Sequence, residues 1–145
     1  LAQNRKFQDF VGNLYTDREQ LKSLVLLYDF TVSGGAQGAI AFTDLDGNAA
    51  TIPANAVVTN CVSDVLVPLA SGGSATLALG ITGNTDAFRG ATAFNNAAYI
   101  GVDAQNNEVP VKPATEVSVL ATIAAADLTG GKIRLIIQYH ESVLA

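Results

Sequence analysis

From residue 23 onward, apolar and polar positions alternate with a period of two, as in strands with one buried face. Leu24, Leu26, Tyr28, Phe30 and Val32 form one such face. Val25, Leu27, Asp29 and Thr31 form the other, which turns polar towards its end. Gly34-Gly35 breaks this strand. Ala39–Thr43 then runs into Asp46-Gly47, a dipeptide suited to hairpin turns, with Ala50–Ile52 as the return strand. Pro53-Ala54-Asn55-Ala56 reads as a turn, since Pro fixes φ and Asn tolerates turn geometry.

Val57–Leu69 predicts a long strand whose end Pro68 forces to a sheet edge or a bulge. Ser71-Gly72-Gly73-Ser74 is a tight connection. Ala75, Leu77, Leu79 and Ile81 then alternate with Thr76, Ala78, Gly80 and Thr82. The small second face predicts close approach of another layer or chain. Gly83–Gln105 is less regular. Thr85 is placed to cap one helical turn through Asp86-Ala87-Phe88-Arg89, and Ala91–Ala98 reads as loop or edge. Thr115–Ala125 alternates again, with Val117, Val119, Ala121 and Ile123 inward. Asp127–Gly131 turns the chain into the last strand, Lys132–His140. There Ile133, Leu135, Ile137 and Tyr139 face the core, and Lys132, Arg134, Gln138 and His140 face out.

About eight strands with glycine-containing turns predict an all-β fold, a jelly-roll-like β-sandwich over residues 23–145. Its first and last strands are long and aliphatic. An exposed aliphatic edge invites aggregation unless another chain covers it, so the pattern favours an oligomer. No internal repeat points to a solenoid.

Residues 1–22 form an N-terminal arm of different character. Phe7, Phe10, Val11, Leu14 and Tyr15 follow the spacing of a helical stripe, interrupted by Gly12. So short a helix is marginal in water and is ordered only where its stripe packs, on its own domain or on a partner. The arm carries four basic residues (Arg5, Lys6, Arg18, Lys22) against three acidic ones. The net charge of −5 therefore resides in the remainder, where acidic residues outnumber basic ones. That balance argues against direct nucleic-acid binding, which needs Lys and Arg to neutralise phosphates.

Composition removes further chemistry. Charged residues are 14% of the 145-residue chain, apolar ones 49%, and there is one His, one Cys and no Trp. The chain is too apolar to be disordered and has no disulfide framework or Cys-rich zinc site. No apolar run is long enough to span a bilayer, and the first ten residues lack the apolar stretch of a signal peptide. The expectation is a protein made in a reducing cytoplasm, with Cys61 a buried free thiol. Asp44-Leu45-Asp46-Gly47-Asn48 resembles the start of a calcium loop. Ala49 and Asn55 stand where an EF-hand needs Gly and Glu, which leaves a hairpin turn. Gly34-Gly35-Ala36-Gln37-Gly38 lacks the Lys-Ser/Thr ending of a phosphate loop and also reads as a turn. His140 has no relay around it in sequence. Asp29, Asp64 and Glu116 sit in strands as candidate carboxylates of a glycosidase, with nothing to fix their separation.

Four landmarks, in order, carry a resemblance. They are Leu27-Tyr28-Asp29-Phe30-x-Val32-x-Gly34-Gly35-Ala36, Ile52–Thr59, Ser74–Ile81, and Ala126-x-Leu128-Thr129-x-Gly131-Lys132-Ile133-x-Leu135 through Tyr139. Over residues 24–140 the chain resembles tailed-bacteriophage capsid decoration, or cement, proteins encoded beside the major capsid protein. The resemblance implies a non-enzymatic structural virion protein on the outer capsid surface, without metal or cofactor. Its implied partners are the major capsid protein and itself, as a homodimer or, alternatively, a trimer. The arm lies outside the landmarks. Its residues Arg5, Lys6, Phe7, Phe10, Val11, Leu14 and Tyr15 are the candidate capsid contacts on chemical grounds, an aromatic and basic strip able to order on binding. Two other classes stay open: a carbohydrate- or receptor-binding jelly-roll module of a phage fibre, with sugar near Tyr99 or Phe94, and a small hydrolase using His140.

Overall fold

The computed structural model describes residues 21–141. Nine strands occur among them: β1 (Leu21–Asp29), β2 (Gly38–Ala41), β3 (Thr51–Ile52), β4 (Ala56–Ser71), β5 (Thr76–Ile81), β6 (Asn84–Ala93), β7 (Val102–Ala104), β8 (Val117–Ala124) and β9 (Leu128–Glu141). They make two antiparallel sheets. One has the order β1-β9-β4-β7. In the other, β2-β8-β5-β6, β3 also pairs with β8. The chain crosses repeatedly between the layers, as expected of a jelly-roll-like β-sandwich.

The core lies between the inner faces. Leu26, Tyr28, Ile133, Leu135 and Ile137 from the first sheet meet Leu77, Leu79, Val119 and Ile123 from the second, all essentially inaccessible to water. Tyr28 and Phe42 pack edge to face, with ring centroids 6.4 Å apart. The residues predicted inward in β5, β8 and β9 are buried, with Tyr139 half-buried; in β5 the small second face, Ala78 and Gly80, is buried as well.

Local chemistry explains where strands end. The Asp29 carboxylate accepts hydrogen bonds from Thr31 N (2.9 Å) and Oγ1 (2.7 Å), capping one helical turn over Phe30–Ser33. Gly34, at φ 73°, closes that turn. Thus β1 stops at Asp29. Val32, expected inward, is 80% exposed, because the helical turn takes it out of the strand period. The Pro53–Ala56 turn forms with Asn55 at φ 64°, and Pro68 lies in the irregular stretch of β4 between Val67 and Ala70.

Three expectations are corrected. Asp86–Arg89 is not a helical turn but part of β6. Burial of Ala87 and Phe88 and pairing of Arg89 with Leu79 outweigh the local capping signal. The last turn lies before Leu128, with Ala125 at φ 68°. Leu128–Gly131 already belong to β9, since Leu128 is buried opposite Ser71 and Gly131 lies against Leu69. Finally, β9 is no edge: β1 and β4 flank it. Of the two aliphatic end strands only β1 is an edge. Leu21 and Lys22, at the end of the arm assigned from sequence, pair with His140 and Tyr139.

Both long sides of the sandwich are sewn between layers. On one side Leu27 and Thr43 exchange backbone hydrogen bonds of 2.8 and 3.0 Å. On the other, the segment after β7 bonds both sheets. Gln105 N donates to Cys61 O of β4, and Asn107 N and Glu108 N donate to Phe88 O and Ala87 O of β6.

Candidate functional site

The arm residues Arg5, Lys6, Phe7, Phe10, Val11, Leu14 and Tyr15 lie outside the described residues. The remaining candidates fall into place as follows. Asp44 organises a hairpin: its Oδ1 accepts from Asp46 N and Asn48 N, both at 2.9 Å, and Gly47 N donates to Asp44 O. Both its carboxylate and its carbonyl are therefore engaged in turn hydrogen bonds. No cluster of three or more His, Cys, Asp or Glu suited to a metal occurs among the described residues.

The three carboxylates do not meet as a pair. Asp29 and Asp64 sit on strands flanking β9, and each faces its own cation there. Lys132 lies 3.5 Å from Asp29, and Arg134 lies 2.6 Å from Asp64. Hydrogen bonds from Thr31 hold the Asp29 carboxyl below its ordinary pKa, favouring the ion over a general acid. Glu116 is exposed just before β8, in the other sheet. His140 is on β9, opposite Leu21 and Val57. Cys61 is fully buried and burial pushes its thiol up to about 12, so it is unreactive.

Gly35 accounts for the glycine pair after β1. A Cβ there would stand 2.2 Å from Leu128 O, because Leu128 N donates to Gly35 O at 2.8 Å. The small face of β5 has a comparable cause. A Cβ on Gly80 would meet Thr85 C at 2.3 Å, so the close neighbour is the start of β6 in the same chain.

Sequence reasoning missed the polar seam between the layers. Gln105 and Ser63 are fully buried. The Gln105 side chain donates to Ser63 Oγ (2.8 Å) and Ala98 O (3.0 Å) and accepts from Arg89 Nε. Arg89 also reaches Ala104 O at 3.1 Å and Asp103 at 3.5 Å. Beside it lies a shallow depression of about 480 Å³ lined by Phe88, Arg89, Thr92, Asn106 and Asn107. The Arg89 guanidinium is engaged within the seam, so the depression is walled by a structural bridge. No periodicity marks a single buried glutamine in an irregular stretch.

Tyr99, near which the fibre-module alternative places sugar, is 2% exposed, and its hydroxyl donates to Leu77 O at 2.6 Å. Its ring cannot stack on a ligand. Phe94 is half-buried beside a small hollow. Exposed apolar residues occur instead where Ile100–Val102 run beside the middle of β4: Leu66, Val67, Ile100 and Val102 are 46–70% exposed. No helix among the described residues is long and apolar enough to cross a membrane.

No protein-family profile and no curated protein matches the sequence. Solved structures do. The chain is similar to one in the structure titled "Cyanophage Pam1 capsid asymmetric unit". The TM-score is 0.62 at 14% identity, and the match covers 86% of each chain. It is also similar to one in the "Acidic stable capsid structure of Helicobacter pylori bacteriophage KHP30". Here the TM-score is 0.58 at 12% identity, over 82% of this chain and 86% of that one. At these identities what is shared is the fold.

Proposed function

We propose that this protein is a structural component of a tailed-phage virion. It binds the outer capsid surface and stabilises contacts between major capsid protein subunits. The observation that carries the reading is the extent of the fold likeness. Most of this chain matches most of a chain in each of two phage capsid structures. The cement role draws its support from the four ordered sequence landmarks. The carboxylates tied to their own cations and the buried thiol suit a scaffold without chemistry, metal or cofactor.

The partners in this proposal are the major capsid protein and a second copy of the chain, a homodimer being favoured over a trimer. The protein is made in the host cytoplasm and resides on the virion. Arg5, Lys6, Phe7, Phe10, Val11, Leu14 and Tyr15 are the proposed capsid contacts. Several modest contacts per oligomer give tight attachment through avidity. The fibre-module alternative has less support, because Tyr99 is buried.

Co-sedimentation with undecorated shells tests the reading. Full-length protein is expected to saturate regular sites. Removing residues 1–20, which spares β1, is expected to weaken attachment at least about tenfold, the loss of one anchoring contact. Full-length protein that fails to bind shells refutes the function; unchanged binding by the truncated protein refutes the arm's role.

A further inference from the structure

The outer edge of β1 is covered over only part of its length. In an antiparallel ladder, successive residues direct their N–H and C=O alternately to the two neighbouring strands. Leu27 directs both groups to Thr43, away from β9. The register with β9 is unbroken from Leu21 to Asp29, so Val25, Ser23 and Leu21 direct theirs the same way. No described residue meets them. These positions carry none of the features that keep sheet edges apart: no proline, no bulge and no charge. Lys22 turns to Glu141, 2.6 Å away.

We infer that this edge pairs with β1 of a second copy, antiparallel about a two-fold axis at Ser23. Thr43 blocks pairing beyond Val25. The register centred on Ser23 uses all three open positions without reaching that block, and it sets Leu21 of each copy against Val25 of the other. About six backbone hydrogen bonds form, with donors and acceptors balanced by symmetry. Leu21, 47% exposed, gains an apolar cross-strand partner. The apolar row Val25–Ile136–Val62 on the sheet's outer face becomes continuous across the axis. The inference rests on the homo-oligomeric reading above and names its interface. Such a pairing covers far less than the roughly 1,600 Å² of a standard interface, so the free dimer is weak and a covalent trap reads it best.

Cys61, the chain's one cysteine, is buried, so an introduced thiol reports alone. Directly opposed residues stand about 5.5 Å apart at Cα, within disulfide range. Under mild oxidation, Ser23→Cys is expected to form a homodimeric disulfide at least about tenfold faster than Asn95→Cys, an exposed control beyond β6. Leu21→Cys and Val25→Cys each stay reduced alone, since like residues lie about 14 Å apart, but cross-link when mixed. With circular dichroism confirming the fold, three results overturn the inference: Ser23→Cys linking no faster than Asn95→Cys, self-linking of Leu21→Cys, or a Ser23 cross-link that appears only after residues 1–20 are removed. The reaction uses free protein. Cross-linking without shell binding therefore strikes the capsid reading alone, and shell binding without cross-linking strikes the interface alone.

Discussion

Truncating Gln105 to alanine tests whether the polar seam holds the two sheets together. The side chain is fully buried and makes two neutral hydrogen bonds, to Ser63 Oγ and Ala98 O, and one with the charged Arg89. A neutral bond contributes about 1 kcal/mol net and a charge-assisted one about 1.5–3 kcal/mol. Their sum is about 4 kcal/mol, of which water entering the vacated space beside the depression recovers part. The expected loss is thus about 3 kcal/mol, a substantial share of a typical 5–15 kcal/mol stability. At this chain length it lowers Tm by about 10 °C. Urea denaturation of Gln105→Ala beside Asn95→Ala measures the difference, the control staying within about 0.5 kcal/mol. Hydrogen exchange supplies the local readout. The Asn107 and Glu108 amides, bonded to Phe88 O and Ala87 O, are expected to lose protection before the β9 core does. A cost below about 1 kcal/mol with unchanged exchange at Asn107 and Glu108 refutes the reasoning.

Alkaline pH is expected to destabilise the fold. Burial raises Cys61 to about 12 and also raises Tyr99 and Tyr28, the latter with a further push from Asp29. These folded-state values lie above the unfolded ones, so the stabilisation is complete below the unfolded pKa and is lost as pH rises towards the folded one. For Cys61 the loss begins near pH 9 at about 1.4 kcal/mol per pH unit. In Cys61→Ala the decline in urea midpoint is expected to start about one pH unit higher, where tyrosines begin to ionise; an identical profile contradicts the assignment. Gly35→Ala sets a Cβ 2.2 Å from backbone Leu128 O and is expected to cost more than about 2 kcal/mol, whereas Gly72→Ala, with nothing within 4 Å, stays near neutral in thermal melts.

The strands were legible where large apolar residues alternated with polar or small ones over a long run. β5, β8 and β9 were read with their inward residues, because a period of two leaves only one register that buries Leu77, Val119 or Ile137. The turns at Pro53–Ala56 and Asp44–Asn48 were legible from backbone chemistry local to them. Local signals failed where distant partners compete with them. Thr85 offered a helix cap, but Ala87 and Phe88 gain more by burial in β6. Asp29, a strand residue by pattern, ends β1 because its carboxylate finds Thr31.

An all-β class, the inward set of each regular strand and the absence of cysteine-, histidine- or tryptophan-rich chemistry can be read along the chain alone. These follow from periodicity and composition, properties of neighbours along the chain. Which strands lie at edges, what joins the layers and which groups remain open emerge in the folded molecule. Placing β9 between β1 and β4 removes one aliphatic edge and leaves the other. Burying Gln105 turns an unremarkable amide into the bridge between sheets. Thr43 closes part of the β1 edge and leaves Leu21, Ser23 and Val25 facing outward. Each depends on contacts between residues far apart in the chain, whose free energy no local pattern encodes.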